Sequence, residues 1–243
     1  MRPLVFSGML AAAVGVLCIG YEPPRAPAGD EPAARPPPHG AERFDKLVRV
    51  DMFAGFGGDE AALARGLALC DATLARDPRH AEALVWRGAA RMFQAGGLFG
   101  KGQVIGGMSL WGKALKDMDE AVEIAPDNPG VRIPRAAVLM PAARNAPAAM
   151  AAPLLDRALR DFRDMERLQA DKLDRIGEHP LGELRMGLAD VYRLKGDRAR
   201  SVEQLELVRK QLPDTDYARR AGEWLAARPD AKLVHQCIGC HGG

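Results

Sequence analysis

The chain's densest chemistry lies near its end, where His235, Cys237, Cys240 and His241 fall within the run His-Gln-Cys-Ile-Gly-Cys-His. Two thiols separated by two residues, with an imidazole directly after the second, form the attachment pattern for c-type haem. The thiols become thioethers to the two vinyl groups of one porphyrin, and the neighbouring imidazole reaches the iron. On this reading Cys237 and Cys240 carry one covalent haem c, His241 is the proximal iron ligand, and the distal ligand is left open. Three other chemistries fit the same residues. Cys237 and Cys240 form a disulfide if the compartment is oxidising. His235, Cys237, Cys240 and His241 are donors of the kind zinc takes, although packing them this closely strains a tetrahedron. A thiol–disulfide exchange centre is the third, but no βαβ pattern surrounds the pair.

This segment resembles the haem-binding stretch of a cytochrome c, where Cys-x-x-Cys-His-Gly is common. The resemblance implies thioether roles for Cys237 and Cys240 and iron ligation by His241. It departs from the family in one respect: only Gly242 and Gly243 follow, where a cytochrome c has a downstream methionine for the second axial position. A distal methionine would therefore come from the preceding chain, and Met92, Met108, Met140 and Met186 are the candidates. His235 stands so close to Cys237 that reaching the opposite ring face requires an unusual chain path.

Other reactive side chains read as structural. Cys70, in Leu67-Ala68-Leu69-Cys70, is expected to be an inert buried thiol. His39 lies in a spacer, while His80 and His179 sit at helix boundaries beside Asp77-Pro78 and Pro180, where surface positions are expected. The acidic pairs Asp117/Glu120 and Asp161/Glu166 fall on the charged faces of amphipathic helices and read as solvated carboxylates. No nucleophile–base pairing is identifiable, so no enzymatic reaction is assigned.

The elements that must position the tail follow from composition and pattern. The 243 residues are 47% hydrophobic and 27% charged, with a net charge of +2. That excludes a disordered chain and removes the electrostatic case for nucleic-acid binding. Aromatics make up only 5%, which disfavours sheets and leaves helices. Residues 1–20 read as an export signal, with Arg2 ahead of an apolar run. Export places the protein in the periplasm or elsewhere outside the cytoplasm. Membrane contact is expected only if this segment is retained or Cys18 is lipidated. Residues 21–41 are a proline-rich linker, because proline fixes φ and removes donors.

Residues 42–228 read as helical throughout. Helix stops recur at Asp77-Pro78, Pro126-Asp127-Asn128 and Pro213-Asp214. Small or aliphatic residues precede them on one helix face: Gly66 and Thr73, Ala114 and Ala121, Ser201 and Val208. This resembles the tetratricopeptide repeat, a helical hairpin of about 34 residues. The clearest match runs from Leu188-Ala189 through Lys195-Gly196-Asp197 to Ser201, Val208 and Pro213. A second runs from Ala83-Leu84 through Gly88 to Ala121 and Pro126, with Arg87 and Arg91 in place of aliphatic and aromatic residues.

The resemblance implies an all-α solenoid of three to four irregular repeats, which binds protein partners through its repeat surface. Phe44–Pro78 is a loose first unit, and 131–144 with 154–176 form a degenerate one. Tyr217–Ala227 is a polar capping helix. The implied groove lining is Val85, Ala89, Met92, Phe93, Ile133, Ala137, Met140 and Met186. The glycine-rich stretch Gly96–Gly112 lacks the pattern of a phosphate loop and is expected to fold back as an apolar flap. Residues 229–243 form the tail. The sequence thus anticipates an exported repeat scaffold bearing a haem for electron transfer or haem-dependent assembly. Its alternative is a cofactor-free adaptor with a Cys237–Cys240 disulfide.

Overall fold

The computed structural model describes residues 43–228, 231 and 233–235. The described residues are all-helical, with nine helices and no strand. In chain order these are α1 (Phe44–Phe56), α2 (Glu60–Arg76), α3 (Ala81–Gly100), α4 (Val104–Ile124), α5 (Pro129–Asn145), α6 (Ala148–Leu168), α7 (Glu178–Leu194), α8 (Arg198–Gln211) and α9 (Asp216–Ala226). Their boundaries have local chemical causes. Asp59, His80, Asn128, Asp197 and Thr215 each accept a hydrogen bond from a first-turn amide, satisfying a donor that the helix leaves orphaned. At the other ends, Pro78, Pro126 and Pro213 fall just past α2, α4 and α8. Gly196 takes φ +80 to turn α7 into α8.

The chain divides into two compact units, 1–120 and 121–243. In the first, α1 packs on α2 and α3 around buried Val48, Met52, Cys70, Val85 and Ala89. Gly88 lets α4 approach α3, since a Cβ there would lie 2.6 Å from the Met118 side chain. Arg87 and Arg91 on α3 have a shared partner. Arg87 Nε and Nη2 both donate to the Asp117 carboxylate at 2.9 Å, and Arg91 joins at 2.5 Å.

The second unit holds the hairpins α5–α6 and α7–α8, with α9 packed on α8. Here Arg132 and Arg135 on α5 clasp Asp161 on α6, which is fully buried. A cluster of Leu181, Met186, Ala189, Leu205, Val208, Tyr217 and Trp224 joins α7, α8 and α9. Ser201 Oγ donates to Ala189 O at 2.8 Å, tying the two small residues of α7 and α8 together.

Three expectations change. Gly96–Gly112 is not a flap: α3 runs on to Gly100 and α4 starts at Val104, so the extra residues lengthen a hairpin. Gly107 allows this, because a Cβ there would sit 2.4 Å from the Phe99 ring. Asp117 and Asp161 are not solvated but buried, each held by two guanidiniums. The groove lining is likewise displaced. Val85, Ala89, Met92, Met140 and Met186 are buried core, Phe93 is half-buried, and only Ile133 and Ala137 are exposed.

Candidate functional site

The motif residues Cys237, Cys240 and His241 lie outside the described residues, as do Cys18, His39 and the stretches expected to be an export signal (1–20) and a linker (21–41). What the structure does show is the foothold from which the motif departs. It is built on α7 and α9. Gly182 on α7 has no side chain, so the Tyr217 ring of α9 lies against it; a Cβ at 182 would be 2.5 Å from that ring. Held there, Tyr217 places its hydroxyl 2.8 Å from Glu183 Oε1 and 2.8 Å from His179 Nδ1. A phenol has one proton. With Glu183 ionised, Tyr217 donates to the carboxylate, and its oxygen accepts from Nδ1–H of His179.

The tail meets this network at His235, whose Nε2 lies 3.1 Å from Glu183 Oε2. A carboxylate accepts, so Nε2 is the donor of this contact. The ring's Nδ1 is buried without a hydrogen-bond partner, on a side chain only 9% exposed. Two residues upstream, Leu233 packs against the α7–α9 cluster, and its carbonyl accepts from Arg193 Nη2 at 2.8 Å. Arg193 is fixed in turn by Asp190 at 3.0 Å and lies over the Trp224 ring, 5.5 Å from its centroid. Arg144 shares the same Asp190 carboxylate. Burial, reinforced by the charge of Arg193, lowers the Arg144 pKa to about 10. Two cations thus lean on one buried anion beneath the tail.

An imidazole with one nitrogen pinned to a carboxylate and the other free is the arrangement that prepares a histidine to bind a metal. Yet no group of three or more metal-ligating side chains comes together among the described residues. The site therefore supplies one orphaned nitrogen and a firm anchorage. For a haem, the donor set fits in part. His235 brings an imidazole two positions before Cys237, but its Nδ1 is buried, as are Met92, Met140 and Met186, and none of these reaches an iron without opening its packing. Met108 is exposed, on α4 of the first unit.

The remaining sequence candidates resolve simply. Cys70 is fully buried, and burial pushes its thiol up to about 12, so it is inert as expected. His80 caps α3, accepting from Ala83 N at 3.1 Å, with its ring 4.9 Å from that of Phe44. His179 belongs to the network. Sequence reasoning missed Gly182, Glu183, Arg193, Tyr217 and Leu233. The available signal was one of size: a glycine on α7 able to receive a tyrosine from the capping helix. Comparison of the chain with protein-family models, with curated proteins and with solved structures finds no match.

Proposed function

We propose that this is an exported tetratricopeptide-type scaffold that carries one covalent haem c at its C-terminus, for electron transfer or haem-dependent assembly with a protein partner. The observation that carries the reading is the spacing of Cys237, Cys240 and His241. The hairpins add support for the repeat architecture. The α7–α8 pair turns at Gly196-Asp197, joins Ala189 to Ser201 and stops before Pro213, at the positions a tetratricopeptide unit uses. Cys237 and Cys240 would hold the group, with His241 on the iron, and a bound haem would supply one-electron redox chemistry.

The chain's own residues orient and anchor. Glu183 fixes the ring of His235, Tyr217 and His179 fix Glu183, and Arg193 fixes the Leu233 carbonyl. Residues 233–235, just before the motif, are thereby held on a helical face. Protein partners would engage the repeat surface.

The test is to purify the mature protein from a host with cytochrome c maturation machinery. A denaturing gel with a haem-peroxidase stain and a pyridine haemochrome spectrum then read covalent haem. Retention of the stain, lost on Cys237→Ser/Cys240→Ser, is expected. Absence of haem, with Cys237 and Cys240 joined to each other, would instead identify the cofactor-free adaptor.

A further inference from the structure

No residue of the α3–α4 hairpin tip belongs to the Glu183–His235 network, and the tip exposes an apolar surface of its own. Of the seven large apolar side chains exposed among all the described residues, Val104, Ile105 and Met108 stand within five positions at the start of α4. Their i, i+3 and i+4 spacings put them on one face. Ile105 is 89% exposed, so no described residue covers it.

The charge pattern around this face is one-sided. From Met92 to Lys116 there is no Asp or Glu, while Lys101, Lys113 and Lys116 are all exposed and form no ion pair with a described residue. Elsewhere in this unit, Arg43, Arg65, Arg87 and Arg91 have carboxylate partners, while Lys46, Arg49, Arg76 and Arg79 are exposed with no described ion pair, so the mark of the tip is its lack of acidic residues. The helical glycines Gly96, Gly97, Gly100 and Gly112 would meet nothing within 4 Å if given a Cβ, so packing inside the chain does not demand them.

We propose that this tip docks on an anionic lipid bilayer, with Val104, Ile105 and Met108 entering the headgroup boundary and the lysines facing lipid phosphates. Three apolar side chains are too few for the core of a stable protein interface, which takes about 800 Å² per partner. They suffice for reversible membrane contact when unpaired basic residues add attraction to negative lipid. The contact is independent of residues 1–20 and of the haem.

Hydrogen exchange on the full chain tests it, because the readout is local and any contribution of residues 1–20 is common to every variant. Vesicles with about one-third phosphatidylglycerol in phosphatidylcholine should slow amide exchange across 98–110, and pure phosphatidylcholine should not. The protection should vanish in about 0.5 M NaCl. V104S/I105S/M108S and K101E/K113E/K116E alter only exposed positions and should retain the wild-type circular dichroism. Each should reduce vesicle-induced protection at the tip by at least about tenfold. Unchanged exchange on anionic vesicles, equal protection on neutral ones, or wild-type protection in both variants overturns the proposal. Protection by an acidic protein but by neither vesicle overturns it equally.

Discussion

Two hairpins solve one problem at different depths. In α3–α4, Arg87 and Arg91 grip Asp117 with side chains 19% and 24% exposed; in α5–α6, Arg132 and Arg135 grip Asp161 with side chains 7% and 6% exposed. The chemistry is the same, two guanidiniums on one carboxylate between the helices of a hairpin. Water still reaches the first pair of cations and screens them if the anion is lost. It does not reach the second pair, for which Asp161 is the fully buried counter-charge, with Asp164 a second partner of Arg132 at 2.9 Å. Depth, more than the number of contacts, sets what each clasp is worth.

The comparison can be broken by removing the anions in turn. Asp161→Ala removes the buried anion between two buried guanidiniums, of which Arg132 keeps Asp164, and should cost about 3 kcal/mol in denaturant unfolding. Asp117→Ala should cost about half as much, since Arg87 and Arg91 can rehydrate. Equal losses would show that burial is not the deciding variable. Gly182→Ala drives a methyl into the Tyr217 ring and should cost about 1–3 kcal/mol. It should also speed proteolysis beyond Arg228, because Tyr217 supports the Glu183–His235 contact.

Cys70 provides a pH axis. Its thiol is raised from 9.0 to about 12 in the folded protein, so alkali ionises the unfolded chain first. Stability should therefore fall as pH rises from 9.0 towards 12, with a slope of up to about 1.4 kcal/mol per pH unit from this group. Cys70→Ala should flatten that slope in a series of urea titrations. The smallest effect is expected from Arg65→Ala. It removes an exposed pair with Asp51 and should change stability by less than about 1 kcal/mol.

Much of the helical frame was legible because its signals are local. Proline stops, capping side chains and Gly196 each act within a turn of the residue that carries them. The α3–α4 extension was not, because glycines that read as turn residues are also compatible with a helix whose neighbour is an aromatic ring, as Gly107 is with Phe99. Depth was misread for the same reason throughout. A periodic pattern places Asp161 on a polar stripe but does not reveal that α5 brings Arg132 and Arg135 over it. Met140 and Met186 sat one helix face away from where the repeat pattern set them. At the candidate site, the cysteine spacing was plain in the sequence. The supporting residues were not, since Glu183, Tyr217 and His235 lie on three separate stretches of chain with no local signature linking them.

Sequence separation also gives the tail a place in time. The clasps join residues 26 to 30 apart, whereas the Glu183–His235 contact spans 52 and Arg193–Leu233 spans 40. Short loops close before long ones, and the surface that receives His235 exists only once α7 and α9 have met. The hairpins therefore form first and the tail docks last.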